Sequence, residues 1–299
     1  MSTSSQPASR FSLLPQSYTL LGLLIVMYGP LMAYWVHGWL NKSISIQHEY
    51  FSHGLIGIPF AAYMAWGERS RWQQLPDKLH PAGLCLLILG GGLYFSQLSD
   101  WMNISLPLVI AGLCLGLKGV SGLKLMSLPL LLVVLATPSQ MPYLIEPYIL
   151  PLQEFIANVA GFLLMQGGID VTVDQIYLRV NDQMVEVAPH CAGLKMLFTS
   201  LYVALILAHW NSVWRSRFRV GVFFTATVVL SVVANIIRNT ALSYFHGTGR
   251  NAAFHWLHES WGGDLYSAIM LVSLIFLLQL IQQYVPEDLS VNTNTESTI

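Results

Sequence analysis

The chain has 299 residues, of which 54% are hydrophobic and only 10% charged, with a formal net charge of −1 and a mean hydropathy of +0.56. Soluble domains carry about 25% charged residues, so this composition lacks the polar surface to cover a protein in water and points to a lipid bilayer as solvent. The near-zero charge argues against nucleic acid as a partner, and three cysteines, Cys85, Cys114 and Cys191, are too few to indicate a disulfide framework.

A spanning helix needs roughly 20 mostly apolar residues. Eight apolar segments are predicted in chain order: 18–40, 51–67, 81–97, 104–117, 123–137, 191–210, 220–238 and 265–284. The third, fourth and fifth are short for a span. Residues 1–17 form a polar tail before the first segment, which has no small-x-small cleavage pattern and reads as an anchor. Orientation follows from Lys and Arg in the short loops. With the N-terminus inside, Arg10, Arg69, Arg71, Lys78, Lys118, Lys124, Arg215, Arg217 and Arg219 are cytoplasmic, and only Lys42, Arg179 and Arg250 fall outside. The tail 285–299 is then also cytoplasmic, and its polar, low-complexity composition predicts disorder.

Residues 138–190 read as an extracytoplasmic insertion. The segment 144–166 is apolar but carries Glu146, Pro147, Pro151, Gln153, Glu154 and Asn158. Counting it as a span would move the Arg215, Arg217 and Arg219 cluster outside, so it is expected to be an amphipathic helix on the outer surface, or a re-entrant one. A small β-hairpin follows: Ile176, Leu178 and Val180 alternate with Tyr177 and Arg179, Asn181-Asp182 supplies a turn, and Val185 and Val187 continue the alternation. The expected fold is thus an all-α polytopic membrane protein with about eight transmembrane helices, a core over 18–284 and a small insertion of amphipathic helix plus hairpin.

The chemistry concentrates at the outer ends of the last three spans. Cys191, in Pro189-His190-Cys191-Ala192-Gly193-Leu194-Lys195, opens an apolar segment. There the unpaired N–H groups and the helix dipole favour a thiolate, and Ala192 and Gly193 leave space beside the sulfur. Read alone, such a cysteine is more often a buried packing thiol, as Cys85 and Cys114 are expected to be. Arg238, in Ala234-Asn235-Ile236-Ile237-Arg238-Asn239, closes the next segment. An arginine at the edge of an apolar helix costs about 1–3 kcal/mol unless it snorkels, pairs or serves chemistry. Asn235 and Asn239, one turn apart, favour a polar lining over a lipid-facing one. His258 is expected in the short loop before the last span, where a lone histidine is usually just interfacial. Its imidazole is nonetheless the side chain best suited to proton transfer near neutral pH. Glu259 is placed to orient it.

These motifs resemble the exosortase/archaeosortase family of multipass membrane cysteine transpeptidases. The thiol motif Cys191-Ala192-Gly193-Leu194-Lys195, the arginine motif Ala234-Asn235 through Arg238 and the histidine motif His258-Glu259 followed by Gly262 appear in family order. Many members have Ser after the Cys and Asp after the His. Glu49-Tyr50-Phe51-Ser52-His53-Gly54 is similar to the family's early Tyr-Ser-His-Gly signature, with a Phe inserted. The wording around Cys191 resembles a cyanobacterial branch.

The resemblance implies an enzyme of the plasma (inner) membrane of a prokaryote. It would act on secreted proteins carrying a C-terminal sorting tail made of a short motif, a transmembrane helix and a basic cluster. Cys191 would form a thioester with the cleaved chain, which then passes to an acceptor. Arg238 would stabilise the thiolate or the oxyanion, and His258 would move protons. Ser52 and His53 would be substrate-contacting or structural. Lys195 shares a helix face with Cys191 and would support the thiolate or snorkel outward. No cofactor and no metal is implied. Two other readings remain open. A Cys/His metal-dependent membrane protease would use His258-Glu259 with His255, His246 and His190, but Gly262 stands where a zincin needs its second His. A non-catalytic transporter or assembly scaffold would place charges at the bilayer midplane, whereas here they crowd at helix ends.

Overall fold

In hydrocarbon every backbone N–H and C=O must be satisfied within its own segment, so apolar stretches of this length fold as helices. The computed structural model describes residues 13–40, 50–187, 193–258 and 260–287. Among them, α1 (Leu13–Leu40), α2 (Gly54–Gly67), α3 (Arg69–Gln74), α4 (Pro81–Phe95), α5 (Ser99–Leu125) and α6 (Ser127–Ala136) form the first half. Next come α7 (Met141–Ile145), α8 (Leu150–Gln166) and the strands β1 (Val171–Asp174), β2 (Tyr177–Val180) and β3 (Gln183–Glu186). The chain ends in α9 (Leu194–Trp210), α10 (Arg217–Gly247), α11 (Asn251–His258) and α12 (Trp261–Tyr284).

Four stretches are long and apolar enough to cross a bilayer: Gly22–Leu40 within α1, and α5, α10 and α12. The apolar helices α2, α4, α6 and α9 have 10–17 residues. All eight fall on the predicted segments, and the all-α membrane fold is as expected. Only four of them have span length, however. The ten residues of α6 rise about 15 Å, half of a hydrocarbon layer of about 30 Å. The expected boundary before 123–137 also moves: α5 kinks at Gly119 (φ +62°), where the backbone is not helical, and a second helical piece carries the chain on to Leu125.

The first half is held by small residues and internal polar contacts. A Cβ on Gly83 of α4 would lie 2.4 Å from the backbone N of Gly116 on α5, so these two helices pack backbone to backbone. On α1, Tyr28, Leu31, Trp35 and Trp39 form the buried stripe. Trp35 Nε1 donates to Asn103 Oδ1 at 2.7 Å, and the Tyr28 hydroxyl bonds Ser105 Oγ at 3.0 Å. Such interhelical bonds contribute about 1 kcal/mol each in hydrocarbon.

Contacts sort the helix ends. Phe60 and Tyr63 of α2 stack on Trp210, the last residue of α9. Arg69 and Arg71 follow the first helix and Arg215, Arg217 and Arg219 follow the second, so the basic clusters share one end of the bundle. There Arg219 reaches across to the far end of α12, with Nη1 2.6 Å from Glu287 Oε1 and Nε 2.9 Å from the Val285 carbonyl. Nineteen residues later, about 28 Å along the helix, α10 carries Arg238 at the opposite end.

α10 does not stop at Arg238, where the sequence suggested an end. It runs nine residues further, to Gly247, because this extension packs on the sheet. The predicted hairpin is present as β2 and β3, with Asn181 and Asp182 both at positive φ (46° and 68°), as a type I′ turn requires. A third strand, β1, pairs antiparallel with β2 and was not foreseen. Val171, Leu178, Val180 and Val187 bury against Ile156, Ala157, Ala160 and Leu164 of α8. Gln153 closes this core by donating to the Val187 carbonyl at 2.8 Å. α8 thus begins at Leu150 rather than 144, the Pro-rich stretch before it being broken into α7 and a 3₁₀ turn.

Candidate active site

Four separate stretches of sequence meet where the sheet, α9 and α10 join. Tyr50 and Phe51, just before Ser52 and His53, share one buried cluster with Val187, Leu194 and Ile236. The early motif, the start of α9 and the middle of the arginine motif are therefore packed together. Cys191 and Glu259 lie outside the described residues.

Gly193 is the described residue nearest to the thiol motif's cysteine. It has φ +83° and its carbonyl accepts from Leu197 N at 2.7 Å, so the helix starts at Leu194 and not at 191. The glycine was expected to leave room beside the sulfur. Its contacts give a different reason: a Cβ there would lie 2.6 Å from Asn235 Cγ and 2.7 Å from Asn235 Nδ2. Side chains avoid this left-handed region as well. Position 193 is thus pressed face-on against the Asn235 amide.

Asn235 is 1% exposed, and neither Oδ1 nor Nδ2 has a hydrogen-bond partner among the described residues. One turn on, Asn239 donates to the Asn235 backbone carbonyl at 2.9 Å. Arg238 is half-buried, and its Nε is buried without a hydrogen-bond partner among the described residues. Its guanidinium points toward α12, with Nη2 3.8 Å from the position a Gly263 Cβ would occupy. The same position lies 3.9 Å from the His258 carbonyl and 2.9 Å from that of Leu257. Gly263 therefore lets the α11–α12 joint close on Arg238. Tyr266, one turn into α12, donates its hydroxyl to the Ala234 carbonyl and ties α12 to the arginine motif.

His258 is the last residue of α11, an eight-residue helix, and not a loop residue as expected. Its half-buried ring stacks on Phe254, with centroids 5.2 Å apart and planes at 10°. Gly262 makes the sharp joint possible, since a Cβ there would fall 2.6 Å from the Trp256 ring and backbone oxygen.

His53 is placed differently. It is 6% exposed, its Nε2 lies 3.0 Å from the Leu135 carbonyl, and its ring packs on Tyr202 at 4.5 Å. Tyr202 in turn donates to the Leu132 carbonyl at 2.9 Å. This set joins α2, α6 and α9. Ser52 and Lys195 are half-buried. Among the described residues, no group of three or more His, Cys, Asp or Glu is arranged to hold a metal ion; His190 and Cys191 lie outside them.

Sequence reasoning missed Tyr202, Tyr266, Phe254 and the role of Gly263. Phe254, one turn before His258, was the only one with a local signal. The others contact partners 30 or more residues away, or act by lacking a side chain.

The fold and this site define a multi-pass helical membrane protein in which the arginine and histidine motifs meet at one end of the bundle, opposite the basic clusters. The model of the transmembrane exosortase family matches residues 35–275, and the chain belongs to that family. Comparison with curated proteins and with solved structures finds no match.

Proposed function

We propose that the chain is a cysteine transpeptidase or protease of the prokaryotic plasma membrane, acting at the extracytoplasmic face. Its catalytic core is 18–284, with 138–190 as the outer insertion and 285–299 as a cytoplasmic tail. Its substrates are secreted proteins with a C-terminal sorting tail, and the cleaved chain passes through a thioester on Cys191 to an acceptor. The observation that carries this reading is one chain of contacts. Gly193 abuts Asn235, Arg238 follows one turn later, and the Arg238 guanidinium reaches the Gly263 joint beside His258. Two peptide units keep position 191 within about 7 Å of Gly193.

In this mechanism the Cys191 thiolate adds to the scissile carbonyl, and the C–N bond breaks as the carbonyl reforms. His258 protonates the departing amine and later takes a proton from the acceptor nucleophile. Arg238 has a buried guanidinium nitrogen without a hydrogen-bond partner among the described residues, which suits a cation directed at developing negative charge. His53, Ser52 and Lys195 support the architecture, and Glu259 orients His258. The test is substitution of each cysteine in cells expressing a tailed substrate. Cys191→Ala should abolish its processing, while Cys85→Ala and Cys114→Ala leave it largely intact. Normal maturation with Cys191→Ala would reject thiol catalysis.

A further inference from the structure

Asn235 is 1% exposed, yet neither atom of its amide has a hydrogen-bond partner among the described residues. An unpaired buried amide costs about 1–3 kcal/mol, and Leu or Ala at the same position of an apolar helix would carry no such cost. Thr240, five residues on, follows a cheaper route: its hydroxyl donates to the Ile236 carbonyl at 2.8 Å. The Asn235 amide makes no such bond and instead faces the backbone of Gly193, where only a glycine admits it.

We infer that Asn235 is the oxyanion donor of the acyl transfer, which rests on the reading of Cys191 as nucleophile. When Sγ bonds to the carbonyl carbon, the carbonyl π pair moves onto oxygen, and Asn235 Nδ2–H donates to that oxygen. The pair returns as C=O reforms and the bond to the leaving group breaks, the leaving group departing with its bonding electrons and a proton from His258. A neutral amide fixed in a dry wall is suited to this, because it needs no reorganisation as the charge develops. Arg238, three residues on and thus on a neighbouring face of the same helix, adds positive charge from the side.

The test uses purified full-length protein lacking Cys85 and Cys114, and compares two reactions at Cys191. Iodoacetamide alkylates the thiolate at a saturated carbon and forms no oxyanion. Acylation by p-nitrophenyl acetate passes through a tetrahedral oxyanion. In Asn235→Ala and in Asn235→Leu, which keeps the branched shape and the number of heavy atoms, alkylation should proceed at the unchanged rate and pH dependence. Acylation should fall about 10²–10³-fold, the usual effect of losing one such donor. Equal loss of both reactions in both variants would make Asn235 a support for the thiol or the fold and overturn the assignment. Unchanged acylation would overturn it as well. The underlying reading is checked separately by Cys191→Ala: acylation that persists there removes the nucleophile itself, a failure distinct from that of Asn235.

Discussion

At Gly193, two constraints fall on one residue, a left-handed φ of +83° and contact with the Asn235 amide. An L-residue pays about 1–2 kcal/mol for that backbone conformation, before any overlap. Gly193→Ala should therefore sharply reduce substrate processing while the protein still purifies as a folded helical monodisperse species. Processing at the parent rate would show that the tight approach is not required. Part of this site was legible. Arg238 and Asn235 stood out because charge and amide at an apolar helix edge are costly, and Gly193 because it follows the cysteine. The contact of Arg238 with the Gly263 joint was not legible, since it depends on α11 folding back between them. His258 was read as a loop residue because Ser260, Gly262 and Gly263 nearby signal a break. That break falls after it, at the joint itself.

Among the elements, α10 shows best how hydropathy and helix length differ. The apolar signal fades at Arg238, but the helix persists because its last turns pack on the sheet. Gly247 marks that contact: a Cβ would lie 2.3 Å from Val180 Cγ1, and Asn181 Nδ2 donates to its carbonyl at 3.2 Å. Gly247→Leu should thus destabilise the packing of the sheet on α10 by about 1–3 kcal/mol, the usual cost of overpacking. Gly221→Leu, on the same helix with open space around it, should have little effect. Thermal unfolding in detergent compares the two, and equal melting temperatures would contradict the docking of sheet on α10. The hairpin was readable from its alternation and its Asn-Asp turn. β1 was not, because Val171–Asp174 is four residues long, begins with two residues between it and Gly167-Gly168, and gains its strand form from pairing with β2.

For the whole molecule, the basic loops share one bundle end and the described residues of the motifs share the other, in line with the topology expected from the sequence. Cysteines introduced at exposed positions, in a background without native ones, test which side each end faces. Asp174→Cys and Asn251→Cys should react with an impermeant thiol reagent in intact cells, and Leu79→Cys, 95% exposed between α3 and α4, should not. Ser216, in the basic loop before α10, is a poor probe because it is 1% exposed and caps Arg219 N. Reaction at Leu79→Cys in unbroken cells would invert the scheme. The number of spans was less legible, because four of the eight apolar helices are shorter than a bilayer. If groups from the approach to α9, α10 and α11 act as one catalytic site, covalent capture on Cys191 should depend on all of them. Mass spectrometry of the purified parent protein, exposed to a tailed substrate without an acceptor, should find the cleaved chain as a thioester on Cys191. Arg238→Ala and His258→Ala each lack a group that thioester formation uses, and both should show little or none. An absence of Cys191 adduct in the parent protein, or abundant adduct in either variant, would contradict a single catalytic site.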